Sequence, residues 1–494
     1  MSVRAAFGWL ALALTACTMG PRYAPAPPAP AGAQVRVQSN RDSTRVFFDS
    51  LAAARRADGS TPGRLAPAAP FTLAYDSAAG VAWLDIMRDT TLVRLVETAL
   101  RQNRTVRSAV ARIDEFRALA KVARAPLFPT LSANASESSS QVAFGAFPPQ
   151  ACQAARATAD VAWELDFWGR IRNGLMAARA DADAQEAAER AAVLSLVSDV
   201  AGGYLQLLEL DEEQAIAERT LASRQQTLSL ARQRFQQGVI SELDVRQFEA
   251  QVAAPAVTLA QTARLRAQTE HNLSVLLGEA PTVIARGGSL ASAARAIVVP
   301  DSLPATLLAR RPDVRQAERA YAAATARIGI VSASVLPTLT ITGSYGSQAK
   351  VPADLFTPGT KVYAMSAGVS IPIFSGFRQD GESGAARARA EQARAQYELA
   401  ALNGLRDASD ALVGVRSTRD QVAAQATQVN ALRSAMTLAQ ARYDAGVSSY
   451  LEVLDAQRGL FSAELALSQT QLLQLTAAVQ LYKALGGSWT AASR

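Results

Sequence analysis

The sequence predicts very long α-helices joined to a β-sheet of the membrane-spanning kind, arranged as two copies of one unit. Three observations predict this fold class. Helical periodicity continues over residues 170–237 and again over 378–445, far beyond the length of an ordinary helix. Between the helices lie segments of about ten residues with one apolar face and one small or polar face, which is the pattern of transmembrane strands. A constant spacing of 208 residues relates the first half of the chain to the second.

The repeat is clearest in one phrase of twelve residues. RFQQGVISELDV, which starts at residue 234, returns as RYDAGVSSYLEV from residue 442, so that Gly238 matches Gly446. The same spacing aligns two PTL triplets and two Leu-Gly pairs. A repeat this long is not a short solenoid array. We interpret it as two halves of one duplicated unit.

Three helices are predicted in each half. They cover roughly 89–124, 170–237 and 242–277, then roughly 304–334, 378–445 and 450–485. The middle helix of each set is about 100 Å long at 1.5 Å per residue. Its apolar residues Leu194, Val197, Ala201, Tyr204 and Leu208 step by three and four, as in a coiled coil. Because Pro255 interrupts the third helix, we expect a kink or break near 251–255.

Two β-hairpins are predicted between the first and second helices of each half, at 129–168 and 336–376. The clearest strand runs from Val362 to Phe374, with apolar side chains on one face and Ala, Ser and Gly on the other. The strand at 129–142 is less regular, because Glu137 falls on its apolar face. Strands in a bilayer must close into a barrel, and single-chain barrels start at about eight strands. Four strands cannot close, so several copies must share one barrel, which the long helices continue as a conduit.

The composition disfavours an enzyme or a nucleic-acid-binding protein. The 494 residues include one histidine and two cysteines, too few for metal clusters or Cys/His nucleophile pairs. We therefore expect no metal, no cofactor and no catalytic residue. The net charge of +7 is modest, and the basic residues are scattered without interleaved aromatics, so no nucleic acid is expected. His271 is interpreted as a solvated surface residue.

The first residues predict a lipoprotein signal peptide at 1–16. MSVRAAFGWLALALTAC contains Arg4, an apolar run too short to span a bilayer, and an LTAC box that resembles a lipobox. The expected modification is a covalent lipid on Cys17; the alternative is a plain secretory peptide that contains a cysteine. Residues 17–82 are expected to form a tether, and Cys152, the one cysteine besides Cys17, is placed in a loop.

Each copy of the repeated phrase is predicted to be a helix-turn-helix tip. Its glycine suits the left-handed backbone of a helix C-terminus. Ser241 with Asp244, and Ser449 with Glu452, then have capping-box spacing. Capping alone explains Asp244 and Glu452, but Asp455, on the same helical face as Glu452, needs another explanation.

Several phrases together indicate a family. They are GPRYAP, W-x5-D-x2-L-x2-L, ELDFWGRIR, the first tip phrase, LPATLLARRPDVRQAE, PIFSGFR, YLEVLDAQR and LYKALGG. From Cys17 to Trp489 the chain resembles the outer membrane factors, the TolC-like and NodT-type lipoproteins of tripartite efflux pumps. The resemblance implies a homotrimer whose twelve-stranded barrel, four strands per chain, is continued by an α-helical coiled-coil barrel. It also implies a bacterial outer membrane location, a lipid anchor and extension into the periplasm.

The resemblance further implies functional positions and partners. The gating positions of the periplasmic entrance fall on Asp244, Tyr443, Ser448, Glu452 and Asp455. TolC itself has an arginine at the position of Ser448, so that link differs here. The surface for a periplasmic adaptor, or membrane fusion protein, falls on Gly238, Val239, Ile240, Gly446, Val447 and Ser448. The third component is an inner-membrane pump, of the RND type by resemblance.

The resulting organisation has five parts. After the signal peptide and the tether come a first repeat at 83–300, a second at 301–489 and a tail at 490–494. The expected function is a passive exit duct for small molecules, with a cation-selective entrance nearly closed at rest. The alternatives are a lipid-anchored structural or adaptor coiled coil without a pore, and an exit duct for secreted proteins.

Overall fold

A computed structural model describes residues 89–142, 150–295 and 310–487. The signal peptide, Cys17, the tether and the tail 490–494 lie outside these residues. The helices are α1 (Thr90–Gln102), α2 (Arg104–Arg124), α3 (Arg170–Gln236), α4 (Glu242–Leu277), α5 (Leu290–Arg295), α6 (Pro312–Ser334), α7 (Arg378–Asp444) and α8 (Tyr450–Ala484). The strands are β1 (Thr130–Val142), β2 (Gln150–Leu165), β3 (Thr338–Ala349) and β4 (Lys361–Ser370).

The described residues form two compact units. The first contains residues 110–187 and 315–399, and therefore all four strands. The second contains 89–109, 188–295, 310–314 and 400–487. The long helices α3 and α7 contribute residues to both.

The sheet is antiparallel, in the order β1-β2-β3-β4. Its register aligns Leu131 with Val161, Val161 with Gly343, and Gly343 with Met365. Because alternate residues of a strand share a face, this register places the apolar residues of the four strands together. Tyr363 and Met365 are 85% and 83% exposed on that face. The predicted division into an apolar and a polar face is confirmed.

Two strand predictions were wrong in detail. β2 begins at Gln150, so Cys152 lies in a strand opposite Ser140 rather than in a loop. Its alanine-rich start lacks clear alternation, and pairing with β1 decides its conformation. β4 ends at Ser370, short of Phe374, because Pro372 has no N–H to donate to a ladder.

The four long helices agree with the sequence to within a residue or two. α3 and α7 each contain 67 residues, while α4 and α8 contain 36 and 35.

The core of the second unit includes the predicted seam of α3, where Val197, Ala201 and Tyr204 are at most 2% exposed. The phenol of Tyr204 donates to Asp89 Oδ2 at 2.7 Å and accepts from Gly287 N at 2.9 Å. Burial, followed by the hydrogen bond to the Asp89 carboxylate, raises the pKa of Tyr204 above its usual range. His271 is exposed on α4, as predicted.

The two shorter helices differ from prediction. The first does not run unbroken over 89–124, because Asn103 separates α1 from α2 with ψ of 129°. Its amide oxygen accepts from Thr105 N at 2.8 Å, and its amide nitrogen donates to Leu276 O at 2.9 Å. The fourth predicted helix, 304–334, is interrupted at Arg311, and α6 starts at Pro312, since proline suits the first helical position; 304–309 lie outside the described residues.

The break predicted at Pro255 is wrong. Helix α4 continues from Glu242 to Leu277 with Pro255 inside it. Proline has no N–H, so the carbonyl of Gln251, four residues earlier, loses its helical partner. Arg224 of α3 replaces that partner, with its Nη1 donating to Gln251 O at 2.7 Å. A tertiary hydrogen bond thus replaces the helical bond that Pro255 removes, and α4 continues past the position where the sequence predicts a break.

Candidate gate at the paired helical tips

The repeated phrase forms the same turn at both tips. After α3, Val239 N donates to Arg234 O and Gly238 N donates to Phe235 O, both at 2.9 Å. After α7, Val447 N and Gly446 N donate to the matching carbonyls at the same distances. This hydrogen-bond pattern is a Schellman motif, which requires left-handed backbone at the glycine. Gly238 has φ of 73° and Gly446 has φ of 70°, as predicted.

Asp244 belongs to a helix cap in this structure. Its carboxylate accepts from Ser241 N at 2.9 Å and from Ser241 Oγ at 2.7 Å. Asp244 N in turn donates to Ser241 Oγ at 3.3 Å. The capping box predicted at the first tip is therefore confirmed, and Asp244 is half-buried rather than fully presented to solvent.

The prediction of a capping box at the second tip was wrong. Ser449 is the N-cap residue of α8, but its side chain makes no capping hydrogen bond. Glu452 turns instead toward the end of α7, where its Oε2 lies 3.6 Å from Arg442 Nε. The attraction of opposite charges competes with capping here, and the longer glutamate side chain can reach across the turn. Both side chains are exposed, so the pair is weak.

An arginine and three aromatic rings connect the two tips of one chain. Arg234 Nη1 donates to the phenol of Tyr443 at 2.5 Å, and the guanidinium carbon lies 5.3 Å from the ring centroid. Tyr443 meets Tyr450 edge-on at 5.1 Å, and Tyr450 lies 4.0 Å from Phe248 between centroids. Burial, followed by the neighbouring Tyr443, raises the pKa of Tyr450. Phe248 also belongs to a small core with Leu228, Ala231 and Val245, which packs α3 against α4.

The acidic positions of the second tip line an open groove between α7 and α8. Glu452, Asp455 and Arg458 lie on its α8 side, and Leu432 and Ala439 lie on its α7 side. Gly459 also lines the groove, and a Cβ there would stand 3.4 Å from the side chain of Leu432, at the near limit of van der Waals contact. Glu452 and Asp455 are both exposed in the single chain. Ser448 is different, since its hydroxyl is buried and has no hydrogen-bond partner among the described residues.

Four of the six predicted adaptor-contact positions are exposed on the tip turns, whereas Ile240 and Ser448 are half-buried. Val239 and Val447 are 66% and 68% exposed, beside the exposed turn glycines. Ile240 is half-buried and packs on the small core of the first tip. Two matching turns thus present matching apolar side chains to solvent.

Arg224 is a buried tip residue that the sequence did not reveal. It is 3% exposed, and its guanidinium carbon lies 5.2 Å from the centroid of Phe461 on α8. Burial lowers its pKa. Through Gln251 and Phe461 it joins α3 to both α4 and α8. Neither Arg224 nor Arg234 could be singled out from the sequence, because an arginine inside a long polar helix shows no local signal. Their roles become visible only when the helices pack.

Known proteins resemble this chain over most of its length. The family model described as "Outer membrane efflux protein" matches residues 95–279 and 303–487. The solvent efflux pump outer membrane protein SrpC of Pseudomonas putida is 36% identical over 414 residues, which cover 82% of this chain and 87% of that protein. The toluene efflux pump outer membrane protein TtgC, also of P. putida, is 34% identical over 430 residues, covering 85% and 88%.

Solved structures are similar as well. CusC superimposes with a TM-score of 0.78 at 28% identity, covering 86% of this chain and 99% of CusC. The outer membrane protein VceC of Vibrio cholerae has a TM-score of 0.75 at 26% identity, covering 83% and 99%. The fold and the tips therefore define the outer membrane channel of a tripartite efflux system. This chain belongs to the outer membrane efflux protein family, a family of channels rather than of enzymes.

Proposed function

We propose that three copies of this chain form one outer membrane exit duct, with a shared twelve-stranded barrel and a long α-helical coiled-coil barrel. The four-stranded sheet carries this proposal. Within the described residues β1 and β4 each pair on one side only, and one face of the sheet is mainly apolar, with Glu137 and Lys361 as charged residues on it. An apolar face suits lipid, but an open strand edge does not, so the edges must pair with further copies.

The proposed organisation keeps two repeats, at 83–300 and 301–489. The equal lengths of α3 and α7, which start 208 residues apart, support it. So do the matching tip turns and the two segments that the family model matches. A signal peptide at 1–16, a lipid on Cys17 and a tether to residue 82 complete the proposal and anchor the duct from the periplasmic side.

The second tip is proposed as the periplasmic gate. In a trimer, Glu452 and Asp455 would occur three times around one axis, and six like charges at close range repel one another and attract cations. Tyr443, held by Arg234, would keep the two tips of each chain together. Asp244 would act through its cap, by fixing where α4 begins. This chain has Ser448 at the position where TolC has an arginine. Arg234, on the first tip, would supply a guanidinium instead.

The partners proposed are a periplasmic adaptor and an inner-membrane pump of the RND type. The adaptor would contact the two tip turns, around Val239 and Val447. The cargo proposed is small molecules. Relatives named for solvent and toluene efflux support this class of cargo, and a wide duct itself exerts little selection.

Cross-linking between strand edges tests the shared barrel. In a Cys152→Ser background, cysteines replace Ser132 on β1 and Ser366 on β4, and a flexible bis-maleimide joins nearby pairs in detergent-purified protein. We expect covalent dimers and trimers, with a trimer mass by native mass spectrometry. The matched control places the second cysteine at Ser344, on inner strand β3, and should not form trimers. A monomeric mass without inter-chain products would contradict the proposal.

A further inference from the structure

Exposed cations and an aromatic ring lie together where α2 leads into edge strand β1. The guanidinium carbon of Arg124, the last residue of α2, stands 5.4 Å from the centroid of Phe128. Phe128 is 53% exposed. Lys121, one turn earlier on α2, is exposed as well. Trp163 fixes the connecting turn, because its Nε1 donates to Leu127 O at 3.2 Å.

A second group of this kind follows the other edge strand, β4. Between Ser370 and Arg378, the side chains of Ile373, Phe374 and Phe377 are 93%, 78% and 77% exposed. The two phenyl rings meet edge-on at 6.0 Å. Phe377 has φ of 63°, which is rare for a bulky residue and here follows a glycine with φ of 60°. The side chain of Arg378 is 66% exposed, and its guanidinium contacts Glu382 at 3.4 Å.

The two carboxylates near the end of β2, beside the first group, already have partners. Glu164 pairs with Arg170 at 2.7 Å, and Asp166 pairs with Arg172 at 3.2 Å. Lys121 and Arg124, in contrast, have no carboxylate within ion-pair distance in the part of the chain that the structure describes. The first group therefore carries two cations without a carboxylate partner, next to an exposed aromatic ring. The second group is more nearly balanced, because Arg378 contacts Glu382 and Asp380 is exposed two residues later.

Closure of the barrel would join the two groups. Thr130 at the start of β1 and Ser370 at the end of β4 lie at the same end of the sheet, because the register pairs Thr130 with Ala162 and Thr338 with Ser370. They stand on opposite edges of one chain. When β4 of one copy pairs with β1 of the next, as the proposed function requires, Arg378 and its phenylalanines come beside Lys121, Arg124 and Phe128 of the neighbouring copy.

We propose that each of these seams binds the head group of an anionic phospholipid of the inner leaflet. The apolar face of the sheet continues directly into the rim, so a lipid lying on that face brings its phosphate to the cations. Arginine recognises phosphate through paired N–H donors, and aromatic rings favour the membrane interface. Juxtamembrane cations are attracted to anionic lipid. Charge complementarity thus selects lipid phosphate as the occupant rather than another apolar protein surface.

The test compares two lipids and two variants of the full chain. Trimers purified in neutral detergent receive dioleoyl phosphatidylglycerol or dioleoyl phosphatidylcholine, and thermal midpoints and bound lipid are measured, the latter by native mass spectrometry. The rim variant is Lys121→Gln, Arg124→Gln, Arg378→Gln. The matched control removes three exposed arginines from the first part of α2, as Arg104→Gln, Arg107→Gln, Arg112→Gln.

We expect phosphatidylglycerol to raise the midpoint of the wild type and of the control more than phosphatidylcholine does, and to remain bound to the trimer. The rim variant should lose this difference while its midpoint in phosphatidylcholine stays unchanged. Equal effects of both lipids on wild-type trimers would overturn lipid selectivity and leave the duct standing. A rim variant that falls apart into monomers in either lipid would show a subunit contact instead, and a wild type that never forms trimers would overturn the duct as well.

Discussion

At the scale of single residues, Glu209 on α3 is a buried acid without a cation beside it among the residues that the structure describes. It is 4% exposed, and the hydroxyl of Ser468 on α8 lies 3.4 Å from its carboxyl. One turn later, Glu213 accepts from Gln469 Nε2 at 3.0 Å. Burial, followed by the charge of Glu213, raises the pKa of Glu209 well above the ordinary carboxyl range. Two carboxyl groups that share one region of α3 cannot both ionise without cost.

The sign of the resulting pH dependence follows from linkage. The unfolded chain loses the proton of Glu209 near pH 4.3, whereas the folded chain keeps it to a higher pH. The folded state therefore binds more protons in between, and the free energy of unfolding falls as pH rises from about 4.3 through neutral. Glu209→Gln should remove this slope and stabilise the protein at pH 8 by about 1 to 3 kcal/mol. Thermal midpoints from pH 5 to 8 measure it.

The matched control is Glu218→Gln, an exposed glutamate two turns further along α3. It should keep the slope of the wild type. If both variants show the same midpoint at every pH, Glu209 is not the titrating group.

At the scale of elements, the unbroken helix α4 depends on a residue of α3. Pro255 leaves the carbonyl of Gln251 without its helical donor, and Arg224 supplies one from the neighbouring helix. A hydrogen bond to a charged group contributes about 1.5 to 3 kcal/mol. Arg224 also packs on the ring of Phe461, so it holds both α4 and α8.

A double-mutant cycle measures the coupling free energy between Arg224 and Pro255. Arg224→Met should destabilise the protein by about 2 kcal/mol, because Gln251 O becomes an unpaired carbonyl. In a Pro255→Ala background the alanine N–H restores the helical bond, so the same substitution should cost about 1 kcal/mol less. Chemical denaturation of the four proteins gives the coupling. Strictly additive costs would mean that Arg224 does not compensate for the proline.

Much of the element plan could be predicted from the sequence, because it is local. Apolar spacing gives the bounds of α3 and α7, and alternation gives the face of β4. The failures have tertiary causes. Asn103 ends α1 by capping the start of α2 and also by bonding to Leu276 O, Arg224 keeps α4 continuous past Pro255, and Arg442 draws Glu452 away from its cap. None of these partners is near in sequence except Arg442, whose competition with Ser449 is decided by side-chain reach.

The tip positions divide in the same way. The turns at Gly238 and Gly446 were predicted because a left-handed glycine and the Schellman bonds are properties of a few adjacent residues. The link between Arg234 and Tyr443 joins residues 209 positions apart. A single sequence gives no sign of which arginine in a polar helix meets that phenol, so this contact emerged only from the packed tips.

At the scale of the whole molecule, the proposed duct is passive, and its sheet and its tips have different functions. The sheet offers lipid an apolar face and offers its own copies two open edges. The tips present matched turns outward and carboxylates along one groove. Energy for transport would come from the pump, since the chain belongs to a family of channels.

The most direct test of a gated duct is single-channel current in planar bilayers. Purified trimers of the wild type are compared with the Glu452→Gln, Asp455→Asn variant, which removes charge while keeping side-chain size. Glu464→Gln, further along α8 and paired with Arg433 at 2.8 Å, serves as the control. We predict small, cation-selective currents that grow severalfold and lose selectivity in the double variant alone. Trimers that pass no current in any of the three proteins would contradict the duct and favour a structural coiled coil.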